Sequence, residues 1–276
     1  MRTSLLVLVL LTAVVAGGCG GHYTLTAGDH IGPAGEYAPV VVRLQRNDFF
    51  VLDLPVKDAA MRLRVDEGLE RGAYTDKLGY AGTTVPTPAQ PGRYPLHVDH
   101  MDIEGDEVAT EAAMYVWDAA RPAVAVDLGA LPQSWEDDAP VAREALHRLA
   151  ERANILYLTR EDVDRQQDLH DRLSAGGYPN GPILLWQRER WHIVRDGELR
   201  LPRIVVEARL VSQLPDLREM FPNLSLGIGT TPIAARAFCA AGMRSILVGP
   251  LKEECPEAMR VDSWQAVENV RLEPEG

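Results

Sequence analysis

Aromatic side chains make up only 6% of the 276 residues, so the core must be mostly aliphatic. There are three cysteines, too few for a disulfide scaffold. Beyond the first nineteen residues no stretch is long and apolar enough to cross a bilayer. The formal charge is −12 and no basic stripe interrupts it, which argues against nucleic-acid binding. There is no Gly-x-Ser-x-Gly elbow, and the one glycine loop, "GIGTTP" (227–232), lacks both a P-loop lysine and a third glycine. Serine hydrolysis and nucleotide chemistry on those motifs are therefore disfavoured. No internal repeat or low-complexity tract is present.

What is there begins with a leader. Arg2 precedes an apolar run from Leu5 to Val15, too short for a stable span, followed by Ala16-Gly17-Gly18-Cys19. Small residues directly before a cysteine resemble the bacterial lipobox, in which the cysteine becomes lipidated after cleavage. The expectation is a signal peptide over 1–19, acylation (palmitate-type chains) at Cys19, and an exported lipoprotein attached to a cell-envelope membrane, facing the periplasm or the exterior. The alternative is a plain secretory signal with an incidental cysteine. Export permits a disulfide between Cys239 and Cys255, but Cys239 lies in an apolar helical run where a buried thiol is equally ordinary.

Residues 20–35 are small, polar and glycine-bearing, and read as a tether. From 36 to 120 the period is two: "VVVRL" (40–44), "FFVLDL" (49–54), "MRLRV" (61–65), "YPLHV" (94–98) and "AMYVW" (113–117) are strands between turn clusters. That spacing predicts an all-β sandwich, and "YTDKLGYA" with "PGRYPLHV" is similar to small immunoglobulin-like exported modules. From 121 to 276 strands alternate with helices. "AVAVD" (123–127), "NILYLT" (154–159), "GPILLW" (181–186), "LSLGI" (224–228) and "RSILVG" (244–249) are strands, with helices over 137–154, 161–177, 206–221 and 232–242 and a hairpin at 191–201. Asp138 is the expected N-cap of the first of these helices. The pattern predicts a parallel sheet covered on both faces, with ligands at the C-terminal strand ends.

Those ends carry Asp127, Thr159 and Gly229-Thr230-Thr231. A threonine hydroxyl and the free N–H groups of two helix N-termini suit a phosphoryl group. Asp127 has three open readings: nucleophile, Mg²⁺ ligand, or cap of the adjoining turn.

In order and spacing, "VAVDLGAL", "ILYLTREDVDRQQDLHDRL", "GYPNGPILLW" and "LREMFPNLSLGIGTTPIAARAFCAAGMRSILVG" resemble the haloacid dehalogenase superfamily of phosphatases. Within it they are most similar to the C-terminal domain of lipins and phosphatidylinositol-transfer proteins. The resemblance implies a HAD-like, Rossmannoid three-layer α/β domain over 121–276, with Asp127 as nucleophile and Thr159 holding phosphate. It also shows depletion: Gly129 stands where the family has its acid/base aspartate and Ala234 where it has a metal-binding aspartate, and no phosphate lysine is evident. The resemblance thus implies an inactive relative binding a phosphate-bearing ligand, such as phosphatidic acid, with no cofactor. The alternatives are a working phosphatase using Mg²⁺ and a proton donor among Asp137, Asp138 and Glu161, or a purely structural envelope protein.

"HVDHMD" places His97, Asp99, His100 and Asp102 together, but a short cluster needs a distant third ligand to hold a metal, and a solvated strand edge is the simpler reading.

Overall fold

A computed structural model describes residues 22–48, 52–101, 105, 107–133, 136–186, 214–249, 258–268 and 270. Residues 1–21 with Cys19, and also Asp102, Cys255, the hairpin expected at 191–201 and residues 206–213, lie outside them.

Period-two patterning builds the first half. Its strands are β1 (His22–Ala27), β2 (His30–Pro33), β3 (Tyr37–Asp48), β4 (Leu52–Pro55), β5 (Ala60–Val65), β6 (Arg71–Tyr74), β7 (Tyr80–Pro86), β8 (Gly92–Met101) and β9 (Glu107–Trp117). On β5 every second residue points inward, so Met61, Leu63 and Val65 are buried. On β3 the inward set is Ala38, Val40, Val42 and Leu44, which leaves Pro39, Val41, Arg43 and Gln45 on the opposite, half-buried face. One sheet runs β1-β3-β4 with β7 also on β3, and the other runs β2-β9-β8-β5-β6. Their inner faces share one aliphatic core. The stretch expected as a tether is instead structured from residue 22: β1 pairs antiparallel with β3, and β2 pairs parallel with β9.

In the second half the strands β10 (Ala123–Asp127) and β11 (Asn154–Thr159) are apolar on both faces, as fully covered strands must be. With β12 (Ile183–Leu185), β13 (Leu224–Gly229), β14 (Arg244–Val248) and β15 (Ala258–Val261) they form a parallel sheet in the order β12-β11-β10-β13-β14-β15. The helices are α1 (Ala139–Arg152), α2 (Gln166–Ala175), α3 (Leu214–Met220), α4 (Pro232–Ala240) and α5 (Trp264–Val267). Asp138 occupies the N-cap position of α1, but its side chain makes no capping bond. Gly227 lets α4 approach β13 closely, because a Cβ there would meet Phe238 Cγ at 2.1 Å.

The expected fold class, a HAD-like three-layer α/β domain behind a separate immunoglobulin-like sandwich, requires correction. Among the described residues strand accounts for 45% against 25% for helix. The parallel β2–β9 pair breaks the all-antiparallel pattern of such a sandwich. More importantly, the parallel sheet is not wrapped by helices alone. α1, α2 and α5 cover one face. On the other, Ile31, Tyr115 and Trp117 from β2 and β9 share a core with α3, α4, Leu184 and Trp186. Part of a helical layer has been replaced by β-sheet, because those β2 and β9 side chains are themselves large and apolar.

Polar contacts seal this junction. Asp29, in the turn between β1 and β2, has a side chain only 5% exposed. Its Oδ2 accepts the Ile183 N–H at 2.8 Å and lies 2.8 Å from His170 Nε2. Gln166 clamps the same point, accepting the Asp29 N–H at 2.9 Å and donating to the Ile183 carbonyl at 2.6 Å. The Tyr115 hydroxyl donates to Asn180 Oδ1 at 3.2 Å, and Trp117 meets Phe221 edge-on with centroids 5.5 Å apart. Removing the Asp29 carboxylate leaves the Ile183 N–H without its partner. Asp29→Ala is therefore expected to lower stability in urea by about 1–3 kcal/mol, against less than about 0.5 kcal/mol for Thr24→Ala on β1.

Burial, and secondarily the Asp29 charge, pushes the Tyr115 phenol up to about 12. Burial raises Tyr157 as well, and its hydroxyl donates to the Pro179 carbonyl at 2.8 Å. An unfolded tyrosine ionises near pH ~10. These two phenols therefore hold their protons more tightly in the folded state, and the stability this supplies is complete below about pH 10 and drains away above it. The urea midpoint should stay flat to about pH 9.5 and fall beyond about pH 10, with a shallower fall in Tyr115→Phe.

Candidate functional site

Two places among the described residues are candidate ligand sites: the strand ends around Asp127, and a cleft on the outer face of the first sheet.

At the strand ends Asp127 is buried, with 2% exposure, and its carboxylate is already engaged. Oδ1 accepts the Gly129 N–H at 3.1 Å and the Trp186 indole N–H at 3.3 Å. Oδ2 faces Arg160 Nη1 at 3.5 Å, and the Arg160 guanidinium lies over the Trp186 ring, 5.4 Å from its centroid. Asp127 thus caps the 3₁₀ turn Leu128–Ala130 and anchors a tryptophan and an arginine. Gly129 contributes its N–H, and a Cβ placed there would sit 3.4 Å from Asp127 Oδ1.

The other expected residues are also drawn into local structure. Thr159 is buried, and its Oγ1 accepts the Glu161 N–H at 3.0 Å. Thr231 caps α4, its Oγ1 accepting the Ala234 N–H at 3.2 Å. Ala234 is fully buried in the first turn of that helix, and Gly229 lies under it. Thr230 is half-buried at the end of β13. Asp137 and Asp138 are exposed ahead of α1, and Glu161 pairs with Arg165 at 3.1 Å and Arg172 at 2.8 Å. Among the described residues no three His, Cys, Asp or Glu side chains gather where they could hold a metal ion. In "HVDHMD", His97 lies 3.5 Å from Glu111, Asp99 pairs with Arg62, and His100 is buried with Nδ1 2.8 Å from the Ala60 carbonyl oxygen.

The cleft encloses about 350 Å³. Its floor is the outward face of β3, with Pro39 and Val41 toward one end and Arg43 and Gln45 toward the other. The opposite wall comes from the second half: Thr159, the Asp162–Gln166 segment, β12, and Leu217 and Met220 of α3. Arg43 is registered against Thr26 on β1 and Tyr80 on β7, and its guanidinium lies 4.9 Å from the Tyr80 ring centroid. Of these residues only Thr159 was expected at a site. The available signal was the alternation within "PVVVRLQ" (39–45), which puts Val41, Arg43 and Gln45 on one face. Nothing local says that the second half of the chain roofs that face.

No protein-family model and no curated protein sequence matches the chain. Solved structures with partial likeness include a carbohydrate acetylesterase from Xanthomonas citri, at 14% identity and a TM-score of 0.35, covering 82% of this chain and 60% of that one. A 2,6-sialyltransferase from Photobacterium sp. JT-ISH-224 is similar at 9% identity and 0.24, covering 80% and 41%. Tandem Ig repeats of Dlar align at 11% and 0.27, over 40% of this chain and 61% of theirs. The chain spans about three fifths or less of the length of these structures. The structures found are Ig repeats, an esterase, sialyltransferases and glycoside hydrolases, with no haloacid dehalogenase among them. The resemblance to that superfamily is therefore corrected: a strand-end aspartate leading into a glycine-bearing turn is common to many parallel sheets, and here it serves as a cap.

If Asp127 is structural, its partners should share the penalty. Asp127→Ala is expected to cost about 1–3 kcal/mol in denaturant unfolding, because buried N–H donors lose their acceptor, whereas Arg160→Gln, on a half-exposed arginine, should cost less than about 1 kcal/mol.

Proposed function

We propose that the protein is an exported, lipid-anchored binding protein of the cell envelope that holds a small ligand in the cleft over β3, and that it is not an enzyme acting through Asp127. The observation that carries this reading is the contrast between the two places. Every oxygen of the Asp127 carboxylate is engaged, while the cleft keeps about 350 Å³ open between residues drawn from both halves of the chain. A volume of this size falls at the small end of the roughly 300–1,000 Å³ typical of small-molecule sites. The leader ending in Cys19 supports attachment to a membrane by acyl chains, with the body outside it.

A second reading places a phosphate-bearing ligand, such as a phospholipid headgroup, at the strand ends over Thr159, Gly229, Thr230 and Thr231. One observation favours it: Arg160 is a cation 44% exposed at that spot. Against it, the Asp127 charge beneath Arg160 already neutralises that cation, and the Thr231 hydroxyl oxygen is occupied as a helix cap.

The test is direct. The full-length protein in mild detergent, given an aryl phosphate and Mg²⁺, should show no turnover beyond that of Asp127→Asn. Turnover that vanishes in Asp127→Asn overturns the non-catalytic reading. Cys19→Ala should move the protein from the membrane to the soluble fraction, and retention in the membrane removes the anchor from the proposal.

A further inference from the structure

We infer that the cleft takes a single-chain anionic amphiphile, its alkyl chain on the Val41 end and its carboxylate or phosphate monoester on Arg43. This rests on the reading of the cleft as a ligand site and adds the ligand's chemical class. Along the outward face of β3 the character changes from apolar (Pro39, Val41) to polar (Arg43, Gln45) over roughly 20 Å of strand.

The apolar end is closed by side chains that already belong to a core. His30 Nε2 accepts the Val41 N–H at 3.0 Å, which sets β2 and Ile31 beside Val41. Ile31 packs in the same cluster as Leu184, Leu217 and Met220, and all four line the cleft. A chain laid there replaces water on apolar surface, a gain of roughly 25 cal/mol per Å² buried.

The polar end is organised around one cation. Among the described residues that line the cleft, Arg43 is the only arginine or lysine. Its Nε is closed to solvent and has no hydrogen-bond partner among the described residues. The guanidinium lies against the Tyr80 ring, and with Nε enclosed it would meet a carboxylate or phosphate through its terminal nitrogens. Asp29, buried nearby, is committed to Ile183 and His170. Asp162 and Asp164 are exposed, so water screens them, and Thr26 Oγ1 approaches Asp164 Oδ1 at 3.5 Å. At about 350 Å³ the cleft has room for a single alkyl chain.

Isothermal titration of the full-length protein with dodecanoate, dodecyl phosphate, dodecanol and dodecylamine, each below micelle formation, tests this. Dodecanoate or dodecyl phosphate should bind more tightly than dodecanol, and the better of the two identifies the headgroup. Arg43→Gln should weaken the anionic ligand about tenfold or more relative to dodecanol, and dodecanol binding by the variant shows that the cleft is still formed. If dodecanol and the anions bind equally, or Arg43→Gln has no effect, the anionic class is overturned and the cleft survives as a site. Preferential binding of dodecylamine overturns it in the same way. If no probe binds, the cleft reading falls together with the ligand class.

Discussion

A buried carboxylate in a tight turn holds the two halves of this chain together. The Asp29 side chain is largely removed from water, and its Oδ2 is met by groups 154 and 141 residues further along, the Ile183 N–H and the His170 ring. A charge buried without such partners costs several kcal/mol, so the turn between β1 and β2 has one favourable position, against the edge strand β12. That contact sets the surrounding architecture. β2 is held where Ile31 enters the core beneath the parallel sheet, β9 beside it brings in Tyr115 and Trp117, and the outward face of β3 is left as the floor of a roofed cleft.

The strand ends obey the same demand that enclosed polar groups find partners. A parallel sheet delivers backbone dipoles and side chains to one edge, and the usual inference is a reactive site. Here the carboxylate delivered by β10 is used to close a turn through Gly129, to hold the Trp186 indole, and to balance Arg160. A nucleophile needs an unshared lone pair facing solvent, and a general acid needs a partner that accepts its proton in turn. Asp127 has its oxygens committed, and the residues expected around it cap a helix or pair with arginines. On the proposed reading, the position keeps the shape of a site while its groups perform structural work.

Much of the local structure was legible in the chain. "MRLRV" alternates, so β5 could be placed with its inward residues; "AVAVD" and "NILYLT" are apolar without alternation apart from their terminal polar residues, so doubly covered strands could be placed too. Other features were misread for identifiable reasons. Residues 22–33 are polar and short in apolar runs, which reads as a tether, yet they form two strands whose partners lie elsewhere in the chain. Asp138 has the right residue type and position for a cap without making the bond. The order of strand-end motifs pointed to a phosphatase family because such motifs record only strand, turn and helix N-terminus.

What the sequence by itself determined is what near neighbours decide: side-chain alternation, helical faces, a short apolar run ahead of Cys19, and an excess of acidic charge. These depend on periodicities of two and about 3.6 residues and on composition, which any reader of the chain can count. Only the tertiary structure decided that β2 and β9 replace part of a helical layer, that Asp29 finds its partners in the distant half of the chain, and that Arg43 faces a cleft and not open solvent. Such contacts are chosen by burial and by the need to satisfy every enclosed polar group, and those requirements act between segments that carry no mark of one another.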